Sequence, residues 1–440
     1  MLKSTANRLD DLSRRQVLLG GARAFLGVSL LPLLGGGLAG AALGADEPRV
    51  ATAGALPRRP TARNCIYLYM AGGMSHLDTF DPKPGADTAG PVTAISTNAT
   101  GVQLSEYLPR LAKSANHLAV VRGMSSTQGA HEPGEYLMHT SFAQRGTIRH
   151  PAMGAWLGYF SGRTNPTLPM NITIGAGGRH PGAGYLESKF APLPLGNAQS
   201  GLQHSARSAG VDQAQFDRRM GLVDSFNHGF EERYDQKQVR AYKDLYSEAV
   251  TLMGSKDLAA FDIGQEPEAM KTAYGDNEFG HGCLLARRLV ENDVRFVEVR
   301  MGGWDTHDDN FDRVQTRAAL LDQGLSALLQ DLSSRGLLEE TLVVLATEFG
   351  RTPKINGNNG RDHYPKAFSC LLAGGGVNGG QVHGATDATG ANVADDKVEI
   401  QDFNATIGYA LGLPLDQVVI SPIGRPFTLA DKGKPLTNLF

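Results

Sequence analysis

The sequence predicts an α/β fold, one large domain built on a central, mostly parallel sheet. Three observations carry this. First, the second half alternates strand-like and helix-like segments, from "VRFVEVRM" through the amphipathic "DRVQTRAALLDQGLSALLQDLSSRG" to "TLVVLAT" and then "AFSCLLAGGG". Such alternation is the pattern of strands joined by crossover helices. Second, polar residues gather at the carboxyl ends of the strand runs, where open α/β sheets bind ligands. Third, 440 residues with no internal repeat give enough chain for a sizeable core. A formal net charge of -3 leaves no basic footprint, so nucleic acid is not an expected partner.

Residues 1–45 read as an export signal, not as fold. Ser13, Arg14 and Arg15 precede Val17, Leu18 and Leu19, and an apolar Gly/Ala-rich run follows, closing on the small residues Ala42, Gly44 and Ala45. This is the pattern of a twin-arginine signal, so the mature chain is expected in the periplasm or outside the cell. Pro32 and the neighbouring glycines argue against a membrane anchor. No later stretch has the roughly 18 uninterrupted apolar residues that a membrane helix requires. The Pro/Ala-rich residues 46–62 read as a linker, and 63–440 as a single domain.

The mature chain opens with an apolar strand, "NCIYLYM", closed by the glycine turn of "AGGMSHLD". "HLAVVRGM" is a second strand, and "PMNITIG" another. "PGEYLMHTSFAQ" predicts a helix starting near Pro133, since proline is preorganised for a first turn. "AMGAWLGYFSG" predicts the next helix. Residues 175–235, rich in Gly, Ser, Pro and Gln, read as an irregular insertion. Residues 236–293 read as mostly helical, with apolar residues three and four apart in "QVRAYKDLYSEAVTLMG" and "GHGCLLARRLVEN". "LLAGGGVNGGQVHG" reads as a hairpin or a flexible turn. Cys65, Cys283 and Cys370 lie far apart in apolar runs and are expected to be buried free thiols.

Four polar clusters adjoin strand ends: Ser75, His76 and Asp78; Asp305, His307, Asp308 and Asp309; Glu348 and Arg351; and Arg361, Asp362 and His363. His131 and Glu132 precede a helix. A lone loop Asp is usually a turn residue, and Asp308 and Asp309 are placed to start the following helix. Glu348 could pair with Arg351. Jointly, however, His and carboxylate from several strand ends suit one divalent cation, zinc with nitrogen ligands or manganese and calcium with more oxygen. "AGGMS" lacks the lysine of a P-loop and the spacing of a dinucleotide fingerprint, and no G-x-S-x-G nucleophile elbow occurs.

"IYLYMAGGMSHLDTFDPKP", "GGWDTHDDNF", "LATEFGRTPKIN" and "GRDHYPKAFSCLLAGGG" together resemble an exported bacterial family, domain of unknown function 1501. That family is a divergent branch of the alkaline phosphatase and sulfatase superfamily. The resemblance implies a three-layer sandwich around a mostly parallel sheet, and a divalent metal site that stabilises a phosphate or sulfate transition state. On that pattern Asp305, His307, Glu348 and His363 are the expected metal ligands, with Asp78 as a substitute ligand. Two positions depart from it. Ala71 stands where the first strand usually ends in a metal-binding Asp. His131 stands where the nucleophile is expected, so the sulfatase motif Cys/Ser-x-Pro-x-Arg reads His131-Glu132-Pro133-Gly134-Glu135. His131, Ser75 and His76 are therefore the candidate catalytic residues, with His131 or His307 as general base. Two functions compete: a metal-dependent hydrolase acting on a phosphorylated or sulfated small molecule or polysaccharide, and a non-catalytic binding or assembly protein on a decayed enzyme scaffold.

Overall fold

The computed structural model describes residues 60–440 apart from 176–179, 204, 208–209 and 234–246. The expected export signal, almost all of the expected linker and the first half of "QVRAYKDLYSEAVTLMG" lie outside the described residues. Residues 202–259 cluster separately from the unit that carries the sheet, which comprises the described parts of 60–201 and 260–440.

Among the described residues, nine strands make the main sheet. They are β1 (Asn64–Met70), β2 (Leu118–Ser125), β3 (Asn171–Ile174), β4 (Leu193–Leu195), β5 (Phe296–Met301), β6 (Thr341–Ala346), β7 (Phe368–Ala373), β8 (Gln381–His383) and β9 (Val398–Glu399). The order is β8-β2-β7-β6-β1-β5-β3-β4, with β9 also pairing with β2. Only β7 runs antiparallel to its neighbours. Every residue of β1 is buried because helices cover both faces, which is why "NCIYLYM" is apolar without alternating. Its odd residues Cys65, Tyr67 and Tyr69 pack into a core with α1 (His131–Thr140), α2 (Met153–Ser161) and residues of Ile400–Ala410. Its opposite face meets Glu278–Glu291, whose Val290 carbonyl accepts from the Asn64 amide at 3.4 Å. Helix Asn310–Ser334 packs on that second layer and buries Phe311, Val314, Ala318, Leu321, Leu325, Leu328 and Leu332, one apolar stripe at three- and four-residue steps. Full burial of each such leucine contributes roughly 1.5–3 kcal/mol. The three-layer α/β sandwich expected from the sequence is the fold.

Most elements fall where the sequence places them, and three corrections have physical causes. α1 begins at His131, two residues before Pro133. Proline there is still within the first turn, where its missing N–H has no intrahelical partner to lose. The stretch 175–235 is not wholly irregular, since it holds β4 and the helix Gln213–Arg233. That helix is so polar that it blends into the composition around it. "LLAGGGVNGGQVHG" is not a hairpin: β7 and β8 are not paired but lie on either side of β2. The three cysteines are buried and free. Among the described residues no helix is long and apolar enough to cross a membrane.

Candidate functional site

The register of the central strands builds the site. In β1, Met70 pairs with Met301 and Tyr69 with Ala346, so β1, β5 and β6 end together. The loops that follow carry Ala71, Asp305 and Glu348 to one edge. β7 is antiparallel, so its start lies at that same edge and brings the preceding His363 with it. A two-stranded ribbon pairing His363 with Arg351 fixes that segment. His131, at the N-terminus of α1, completes the set.

Close backbone approach makes the convergence feasible. Gly72 has φ +119°, and a Cβ there would lie 2.5 Å from the Asp305 amide nitrogen. A Cβ at Gly360 would lie 1.9 Å from the His307 carbonyl oxygen. Neither position admits a side chain.

Asp305 is the centre. Its Oδ1 lies 3.2 Å from His307 Nε2 and 3.3 Å from His363 Nε2, and its Oδ2 lies 3.3 Å from His131 Nε2. His307 Nε2 and His363 Nε2 are 3.0 Å apart. The other ring nitrogens fix the tautomers. His363 Nδ1 donates to the Gly129 carbonyl at 2.9 Å, His307 Nδ1 to Asp362 Oδ1 at 2.8 Å, and His131 Nδ1 to Glu348 Oε1 at 2.7 Å. Carbonyl and carboxylate oxygens only accept, so each neutral ring turns an Nε2 lone pair toward Asp305. His131 Nε2 is buried without a hydrogen-bond partner. Such facing lone pairs are relieved either by a proton on one ring or by a cation between them. The ligand atoms of His131, Asp305 and His363 lie within 4.8 Å of one another, a donor set that would suit a divalent ion, and Nδ1 bonds to oxygen are the outer-shell partners that metal-binding histidines usually have.

Electrostatics support the arrangement. Partial burial pushes the Asp305 carboxyl up, but the Arg351 guanidinium, 2.6 Å from Oδ1, overrides it and lowers the group to about 2. Burial, then the Arg351 charge, holds His363 below its ordinary range, favouring the neutral ring. The bond to Glu348 raises His131, against its burial.

Glu348, expected as a ligand, has both oxygens engaged. Oε1 accepts from the Gly72 amide and His131, and Oε2 from the Tyr69 hydroxyl at 2.9 Å. Its place is to orient His131. Arg351 does not pair with Glu348: it donates to Asp305 and to the carbonyls of Gly72, Gly73 and Arg361. The structure does not bring Ser75, His76 and Asp78 to the cluster. Asp78 is buried in an ion pair with Arg361, at 2.9 and 3.1 Å, and accepts from Asn310. His76 is buried with Nε2 on the Gly390 carbonyl, and Ser75 is buried below the turn. These three follow the turn 71–73 after β1 and are buried, with His76 and Asp78 bonded to groups outside the cluster. Asp308 pairs with Arg313, and Asp309 stands at the N-cap of Asn310–Ser334 in a left-handed conformation. Tyr69, which anchors Glu348, was hidden in the sequence as an ordinary apolar strand residue.

Fold and site together define an α/β protein with a histidine–carboxylate cluster at the carboxyl edge of a mostly parallel sheet. The chain belongs to the family described as protein of unknown function (DUF1501), whose model matches residues 62–440. No curated protein matches it by sequence. Among solved structures it is similar to the lipoteichoic acid synthase LtaP from Listeria monocytogenes, with 10% identity, 84% of this chain and 76% of that chain covered, and a TM-score of 0.37. It is similar also to the PsFucS1 sulfatase from Pseudoalteromonas sp., with 16% identity, 86% and 74% covered, and a TM-score of 0.37. For the alkaline phosphatase from the Antarctic bacterium TAB5 the values are 10% identity, 73% and 95% covered, and a TM-score of 0.28. Scores of this size carry no argument about this chain's chemistry.

Proposed function

We propose that this chain is an exported metal-dependent hydrolase of phosphate or sulfate esters. The observation that carries the reading is the convergence of three Nε2 lone pairs on Asp305. Asp305 divides the cluster: Oδ1 faces His307 and His363, and Oδ2 faces His131. Asp305, His307 and His363 would hold the ion, and three protein ligands are what a catalytic site with an open position has. A bound divalent ion polarises an ester oxygen and lowers the pKa of water toward neutrality. His131 would take the proton from water at Nε2, which lies 3.3 Å from Asp305 Oδ2 and makes no hydrogen bond, and Glu348 orients the ring and stabilises the imidazolium. Arg351 holds Asp305 ionised and in place. The side chains of Asp305 and His307 are nearly half exposed, so an ester can approach from solvent. The substrate class is a phosphorylated or sulfated small molecule or polysaccharide, met in the periplasm or outside the cell after twin-arginine export.

A second reading has its own observation. Among the described residues no Ser, Thr or Cys side chain is hydrogen-bonded to His131, whose partner Glu348 instead holds the Tyr69 hydroxyl, and Ala71 follows the end of β1. A scaffold that binds metal but has lost turnover fits that composition. Turnover by the zinc-, manganese- or calcium-loaded protein against a panel of phosphate and sulfate esters decides between them. Hydrolysis that His363→Ala abolishes supports the first reading, and no hydrolysis across the panel by fully loaded protein overturns it.

A further inference from the structure

α1 presents His131, Glu135 and His139 at successive steps of four, one face over two turns. His131 reaches Glu348, Glu135 pairs with Arg300, and His139 meets Glu298. The last contact belongs to a separate cluster. Glu298 is buried in β5 on the face that Tyr67 shares. His139 Nε2 lies 3.2 Å from each of its oxygens, and His180 Nε2 lies 3.3 Å from Oε2. These ligand atoms all lie within 4.8 Å of one another. A small cavity adjoins them, lined also by Tyr67 and Asn171. The Tyr67 hydroxyl and the Asn171 amide nitrogen are both buried and without a hydrogen-bond partner.

We propose that His139, His180 and Glu298 form a second divalent-metal site, of zinc-like donor chemistry, beneath the first. His139 Nδ1 faces the Glu135 carbonyl at 2.8 Å and must donate to it, so a neutral ring presents an Nε2 lone pair, and a charged ring that donates from Nε2 to Glu298 gives up that proton on loading. The equal distances to the two Glu298 oxygens suit a carboxylate that shares one cation with that nitrogen. Two imidazoles and one carboxylate are a known zinc donor set, and it leaves a coordination position for water. The orphaned Tyr67 and Asn171 donors are at hand to bond such a water. His180 Nδ1 now accepts from the Gly182 amide at 3.0 Å, so loading moves that ring's proton from Nε2 to Nδ1 and frees the amide. The ion would clamp α1 to β5 two turns from His131.

The site does not depend on the hydrolase reading, and metal counting separates the two. The full chain is loaded with excess zinc chloride, desalted, and its zinc measured per chain by mass spectrometry, with circular dichroism as the folding control. Two ions are expected in the wild type. One is expected in His180→Ala, one in Glu298→Gln, one in His307→Ala, and none in the double variant His180→Ala/His307→Ala. His180 is partly exposed, so its truncation tests the site even where Glu298→Gln does not fold. A zinc count unchanged in His180→Ala overturns the second site, whatever His307→Ala does. A single wild-type ion that only His307→Ala removes overturns it as well.

Discussion

His307 and His363 aim their Nε2 atoms at each other across 3.0 Å, while each commits its Nδ1 proton to an oxygen acceptor. With both rings neutral and neither a proton nor a cation between them, that approach is repulsive. His307→Ala and His363→Ala are each expected to lose the ion held at Asp305. Asp309→Asn is expected to keep it, because Asp309 sits at a helix start and its side chain makes no capping bond. The check is metal content after dialysis, with circular dichroism on every variant. Equal retention in His307→Ala and Asp309→Asn contradicts the assignment.

His131 and Glu348 separate proton transfer from metal holding. His131→Ala is expected to keep its metal and to lower kcat by about 10²–10⁴, the range of a general base. Glu348→Gln keeps an acceptor but loses the charge behind the imidazole. It is expected to retain metal and to shift the acid limb of the pH–rate profile set by His131 to lower pH, since Glu348 raises the proton affinity of that ring. Metal loss in His131→Ala would place that ring among the ligands instead.

The fold was legible because burial is written in the sequence. β1, β6 and β7 are largely apolar runs, β5 is apolar apart from Glu298 and Arg300, and the crossover helix shows its stripe at three- and four-residue spacing. The cluster was legible in part. Asp305, His307 and His363 are polar residues beside glycines or strand ends, and the structure brings them together. Ser75, His76 and Asp78 carry the same local signature, yet they are buried outside the cluster, and only tertiary pairing with Arg361 and Asn310 reveals it. Glu298 and His139 were invisible, because a strand interior and a helix face give no polar-cluster signal.

His150 sets an acid limit on stability. Burial, then the Arg145 charge, lowers its pKa from 6.5 to about 4, while its Nδ1 accepts from the Tyr136 hydroxyl at 2.8 Å. The unfolded chain therefore binds the proton more readily. The contribution is fully present above the unfolded value of 6.5 and is lost as pH falls toward about 4. His150→Phe keeps the ring stack on Phe142, whose centroid is 4.1 Å away, but loses the Tyr136 bond, at a cost of about 1 kcal/mol. Urea midpoints near neutrality should favour the wild type, and the gap should narrow or reverse as pH drops through that window. A gap that is constant with pH rules out His150 as the source.

Asp78 should behave as a structural residue whose loss is felt at the site only through folding. Its carboxylate neutralises Arg361, and neither side chain is exposed. Through Asn310, which accepts from Thr306, it ties the Asp305 loop, and through Arg361 it ties the segment before His363. Asp78→Asn keeps the shape and leaves a buried guanidinium uncompensated, which typically costs about 3–5 kcal/mol. The folded variant, at saturating zinc, should nevertheless hold the ion that His307→Ala loses, since no Asp78 oxygen faces the cluster. Denaturation midpoints and zinc content on the same preparation read both effects. Near-wild-type stability with that zinc lost would make Asp78 a ligand and overturn the buried-clamp assignment.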